Sequence, residues 1–118
     1  MGVDWPLLRV ASMRALAGSL QASAAHVHGL AVAGGVAGST GSLVLHESTI
    51  SLADGHPDAS TTGIEAILRN LDDFEVRHAP PHTTFRLRSL DPGTRCVVDY
   101  DATTGAVDAS QVNTTNCR

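Results

Sequence analysis

The chain has no lysine, only two cysteines and only four aromatic residues among 118. Without lysine, all eight cationic side chains are Arg, set against twelve Asp and Glu. These arginines are scattered instead of gathered on one helix face. With no basic patch and no aromatic stacking platform, the chain lacks the footprint of a nucleic-acid binder. The aromatics are Trp5, Phe74, Phe85 and Tyr100, and much of the remaining apolar content is alanine. One domain of this length buries a core, but few large side chains make that core thin. No apolar run is long enough to span a bilayer, and the N-terminus carries no secretory apolar segment.

Catalytic and metal signatures are also missing. H-E-x-x-H, C-x-x-C and G-x-S-x-G do not occur. The glycine-rich stretch Ala33-Gly34-Gly35-Val36-Ala37-Gly38 follows a helical pattern, whereas a phosphate loop precedes its helix, so it reads as a linker. Six histidines invite a metal. His26 and His28 lie two apart on a helix, so their side chains point roughly 200° apart and cannot share one ion. His78 and His82 flank a double proline and could approach each other, but solvated loop histidines are the plainer reading. Asp72-Asp73, or Asp99 with Asp101 on one side of a strand, could attract calcium; two acids fall short of its usual roughly six to eight oxygen ligands. The expectation is no catalytic residue, no metal and no cofactor.

Cys96 and Cys117 enclose most of the last quarter of the chain. Their separation, with one cysteine near the C-terminus, suggests a disulfide that pins the chain end to a sheet. Such a loop contributes roughly 3 kcal/mol when strain is low. Disulfides persist mainly outside the reducing cytosol. Free thiols are the alternative, and a Cys–His nucleophile would need one of them reduced and activated. A domain of extracellular character without an export signal is explained if the native N-terminus is missing, with Met1-Gly2 a start remnant.

The patterning sets out the elements. Val10, Met13, Leu16, Leu20, Ala24, Val27 and Ala31 recur every three or four residues, one stripe of a long helix ending at Gly34-Gly35. Leu16, Leu20, Ala24, Val27 and Ala31 are the expected helix–sheet packing residues. Leu43–Leu52 alternates as a hairpin around His46-Glu47-Ser48, and Asp54-Gly55-His56-Pro57 reads as a turn. Thr61 or Thr62 is placed to cap a short helix through Ile64, Ile67, Leu68 and Leu71, with Glu65 completing a capping box. Strands are expected at Phe74–Arg77, Thr84–Arg88 and Arg95–Asp101, with turns at Pro80-Pro81, Asp91-Pro92-Gly93 and Thr104-Gly105. A long helix followed by an antiparallel meander is an α+β layout.

These stretches resemble a known family in their order and spacing. R-V-A-S-M-R-A-L-A-G-S-L-Q-A-S-A-A at residues 9–25, V-L-H-E-S-T-I-S-L-A-D-G-H-P-D-A at 44–59, T-T-G-I at 61–64 and C-V-V-D-Y-D-A-T-T-G at 96–105 with Cys117 resemble the globular part of a bacterial type IV pilin. The likeness is to the mannose-sensitive haemagglutinin type, with His56 where that family usually has Tyr. It implies a pilin fold, a long N-terminal helix on an antiparallel sheet of about four strands, closed by a C-terminal disulfide-bounded segment. The implied divisions are 1–8 as start remnant or helix lead-in and 9–118 as globular domain. Within the latter fall a spine helix 9–33, a connecting segment 34–62, a short helix 63–71, and the sheet and disulfide-bounded region 74–118.

The resemblance implies a structural subunit of a filament for surface attachment or adhesion, with a possible part in motility, and no enzymatic reaction. Its partners would be other pilin subunits, the pilus assembly machinery and a surface or host ligand. The location would be the extracellular pilus, after anchoring in the inner membrane. The anchor would be the family's apolar half-helix, which this sequence lacks. Alternatives are a pseudopilin of a type II secretion system, a separately encoded globular partner of a split pilin and, last, a small secreted hydrolase.

Overall fold

The computed structural model describes residues 4–38, 41–91 and 93–118. The proposed start remnant Met1-Gly2, and Pro92 of the Asp91-Pro92-Gly93 turn, lie outside the described residues. Helix α1 spans Trp5–Ala33. It begins four residues before the expected spine because Asp4 caps it: its carboxylate accepts from the Leu7 N–H at 3.2 Å, and Pro6 occupies the first turn. At the other end Gly35, at φ 74°, adopts the left-handed conformation that terminates helices. The Val36 N–H reaches the Ala31 carbonyl at 2.8 Å and the Gly35 N–H reaches Val32 at 3.2 Å, while the Val36 side chain packs beside Ala31.

Two antiparallel sheets lie along this helix. The first has order β1-β2-β3, from Ser42–Leu45, Ser48–Ala53 and His56–Pro57. Leu45 pairs with Ser48, so the β1–β2 turn is only His46-Glu47. Asp54-Gly55 alone turns β2 into β3, and His56-Pro57, expected within that turn, pairs back onto Ala53 and Leu52. Asp-Gly suits a turn needing two positive φ angles, here 50° and 78°. Gly55 is also required sterically, since a Cβ there would sit 2.1 Å from the Ala37 carbonyl oxygen.

The second sheet has order β4-β5-β6-β7, from Phe74–Ala79, His82–Leu87, Val97–Asp101 and Ala106–Asp108. The Pro80–Pro81 turn, with its cis bond, joins β4 to β5, whose register matches Ala79 to His82. Along β5, Thr83, Phe85 and Leu87 point inward, and along β6 Val98 and Tyr100 do the same, following the two-residue period. The opposite face carries Glu75, Arg77, Thr84, Arg86, Asp99 and Asp101 and is polar, although the Arg86 side chain is largely buried with its Nε unpartnered. On it Glu75 meets Arg86 at 2.9 Å.

The short helix expected at 63–71 is corrected to a single 3-10 turn, Ile64–Ile67, with no side-chain cap. The capping groups are engaged elsewhere. The Thr62 hydroxyl meets the Ser51 hydroxyl at 2.9 Å, and the Thr62 carbonyl accepts from the Ser51 N–H at 3.0 Å. Ser60, itself bonded to Asp58, takes the Gly63 N–H at 3.0 Å. Leu68 is already extended.

The core sits between α1 and the sheets. Leu16, Leu20, Ala24, Val27 and Ala31 are all buried there, with Val10, Met13 and Ala17. The larger cluster joins the first two-thirds of this stripe to Phe85, Val98, Tyr100 and the two cysteines. A smaller one joins Val27 and Ala31 to Ile50 and Leu52. At about 1.5 Å per residue α1 is roughly 43 Å long, which accounts for overall dimensions of 54 × 24 × 19 Å. Its first two turns leave Trp5, Leu7 and Leu8 exposed.

Candidate functional site

The segment between the cysteines is the most distinctive surface element. Cys96 and Cys117 form a disulfide with Cα atoms 4.9 Å apart, and both are fully buried. No thiol is left for nucleophilic chemistry. Val112 anchors the middle of the segment in the core. Arg9 of α1 donates to the Cys117 carbonyl at 3.4 Å, tying the chain end to the start of the helix.

Between these anchors the backbone is shaped by short polar side chains. Asp101 accepts from the Thr103 N–H at 2.9 Å, Asp108 from Ser110 at 2.8 Å and Asn113 from Asn116 at 2.8 Å. The Ser110 hydroxyl and N–H hold the Asp108 carboxyl below its usual pKa. Thr103, Thr104, Ser110, Gln111, Asn113, Thr114 and Thr115 are exposed. The segment thus presents hydroxyls and amides to solvent from a rigid base.

A second feature joins three remote parts of the chain. The rings of His28 on α1 and His56 at the start of β3 stack with centroids 4.1 Å apart and planes 12° apart. His28 Nδ1 lies 3.0 Å from the Gly55 carbonyl. A carbonyl only accepts, so His28 carries its proton on Nδ1. Gly105, at φ 74° in the β6–β7 turn, closes against the stack, and a Cβ there would lie 2.5 Å from His56 Nδ1. Burial first, then the neighbouring His28, lowers the pKa of His56, partly offset by Asp54. From β6 of the other sheet, the buried Tyr100 hydroxyl donates to the Pro57 carbonyl at 2.6 Å. Burial, with Asp58 and Asp101 nearby, pushes that phenol well above its ordinary pKa. His56-Pro57 is therefore clamped from both sides.

The remaining histidines and acids are kept apart. His78 and His82 sit on strands and do not meet: His78 faces the Thr83 hydroxyl at 2.9 Å, and His82 reaches Asp99 at 2.9 Å on the outer face. His78 Nε2 is buried with no hydrogen-bond partner, 3.8 Å from Glu65. Asp99 is held by His82 and Thr84, while Asp101 serves the turn at Thr103. Among the described residues no group of three or more His, Cys, Asp or Glu could hold a metal ion. Among them, too, no helix is long and apolar enough to cross a membrane.

No spacing pattern in the sequence singles out the His28–His56 stack. The residues are 28 positions apart, and only the Asp54-Gly55 turn, by aiming β3 at α1, hinted at it. The fold is thus a helix on two antiparallel sheets with a stapled C-terminal segment. Comparison with protein-family models, characterised proteins and solved structures finds no match to this chain.

Proposed function

We propose that this protein is the globular part of a type IV pilin-like subunit, a structural element of a surface filament used for attachment. The supporting observation is the arrangement of α1 and the disulfide-bounded segment. A 29-residue helix lies along the sheets by one stripe, and the C-terminal segment is fastened to the same core by Cys96–Cys117. In that arrangement the helix serves as the assembly axis, and the polar segment 103–116 is the face displayed outward. Neighbouring subunits and the assembly machinery are its partners. The location is the cell exterior, where the disulfide is stable. The role is assembly and display, with no reaction.

The test is electron microscopy of cells producing the protein, with antibodies raised against segment 103–116. Gold label along surface filaments, and loss of those filaments on deletion of the gene, is the expected result. Label confined to the cell interior, with filaments unchanged by the deletion, would overturn the reading.

A further inference from the structure

A cavity of about 290 Å³ lies between α1, the β1–β2 turn and the connection that follows the 3-10 turn. Its titratable lining residues are His26 from α1, His46 from the turn and Arg69 from the connection, joined by the hydroxyls of Ser23 and Ser48. No acid lines it, although the chain as a whole has a formal charge of −4. Glu65, beside the lining residue Ala66, is turned to His78 at 3.8 Å. Among the described residues, the side chains of His26, His46 and Arg69 make no hydrogen bond or ion pair. His26, His46 and Arg69, all exposed, thus line one cavity from three separate elements with no acid among its lining residues.

The backbone around the cavity is held in an uncommon state. His46 and Glu47 have φ of 48° and 68°, where a two-residue hairpin turn favours Asn-Gly, and Asn70 beside Arg69 has φ of 60°. Left-handed non-glycine residues cost stability and collect at ligand clamps. A second cavity, of about 550 Å³, shares Ser23, Ile67 and Arg69 with the first and continues along α1 past Ser19 and Ser12. Its wall is about half apolar, with Leu16, Ile67, Leu68, Phe74 and Leu87 beside the serines and Asn70, and Asp73 lines it without an ion pair to Arg69.

We propose that the smaller cavity binds a phosphate dianion, either as the free ion or as the head of a phosphomonoester whose organic part lies in the larger one. Arg69 supplies a planar fork of donors, His26 and His46 donate when protonated, and Ser23 and Ser48 complete the shell. Donors arriving from three directions suit a tetrahedral oxyanion; a planar carboxylate needs only one guanidinium fork. This site goes beyond the filament reading and stands or falls separately from it.

The experiment is a heteronuclear NMR titration of the whole chain with inorganic phosphate and with glucose 6-phosphate, beside sodium chloride at matched ionic strength. Saturable shifts at Ser23, His26, His46, Ser48 and Arg69 are expected, and chloride should not reproduce them. Arg69→Ala should weaken binding by about tenfold or more, and Arg69→Lys should fall between, keeping charge without the fork. His26→Ala weakens it less.

Tighter binding of the ester assigns the larger cavity to its organic part; equal binding makes free phosphate the ligand. Equal shifts with chloride, shifts mapping to the outer sheet face, or unchanged binding in a folded Arg69→Ala variant would overturn the site.

Discussion

The four-stranded sheet presents Phe85 and Tyr100, with Phe74 at its margin, to the first two-thirds of the α1 stripe, and the buried disulfide closes its end. The three-stranded sheet presents no Phe, Tyr or Trp, and the buried residues of its cluster with the end of the stripe are Val27, Ala31, Ile50 and Leu52. Both regions lie on one helix. The first is held by buried area, the second by backbone devices: two tight turns with positive φ, the Schellman ending at Gly35 and the stacked histidines. A chain with four aromatics can fill one sizeable core, and the remainder of the fold is fastened by geometry. The Tyr100–Pro57 hydrogen bond couples the two halves.

Removing a ring should show the largest difference. Phe85→Ala, at a site with no exposure, should destabilise the protein by about 3–5 kcal/mol, against about 2–3 kcal/mol for Leu52→Ala. Both are read from chemical denaturation with a common slope. Equal losses would erase the contrast between a packed half and a fastened half.

Next comes the staple. Replacing both cysteines by Ala should cost about 3 kcal/mol, as loop-closure entropy returns to the unfolded chain. Hydrogen exchange should then rise chiefly in residues 106–117 and leave β1 to β3 protected. Uniform acceleration across both sheets would mean that the disulfide holds the whole fold, contrary to the division drawn above.

Gly105 tests the fastening in the other half. Gly105→Ala introduces a Cβ against His56 Nδ1 at a left-handed φ. The backbone strain alone is worth about 1–2 kcal/mol. The expected result is that loss, together with ring-current changes at His28 and His56 as the stack separates. Unchanged histidine resonances in a destabilised variant would mean that the turn, and not the stack, bears the contact.

This division also explains which features were legible in the sequence. The α1 stripe, the alternation over Thr84–Arg88 and the Asp54-Gly55 turn are local patterns, and local patterns are visible in a single chain. Ile64–Ile67 is a 3-10 turn in place of a longer helix because Thr62, which carries good capping chemistry, is engaged by Ser51 of β2. Asp4 and Pro6 form a start signal of their own, ahead of the apolar stripe that marks the helix from Val10. The His28–His56 stack and the His26, His46 and Arg69 cavity join residues 20 or more positions apart with no spacing rule to link them. They depend on where the turns aim the strands, which periodicity does not encode.

The smallest effect expected is the response of the stack to acid. Burial and the neighbouring His28 hold the pKa of His56 below its ordinary value of about 6.5, and Asp54 opposes them. In the unfolded chain His56 is free of these influences and takes up its proton first as pH falls. Its contribution is therefore complete above about pH 6.5 and is lost as pH drops from there through the lower folded pKa. The loss is modest because the ring is only half-buried and Asp54 offsets part of the shift. His28→Gln removes one of the two causes, so His56 should titrate closer to its ordinary value and the acid sensitivity of β3 should diminish. Histidine-detected NMR across the acid range reads both quantities directly. A wild-type His56 titrating at or above the value of an unstructured peptide would show that the stack does not resist protonation, and the three-stranded sheet would then rest on its turns alone.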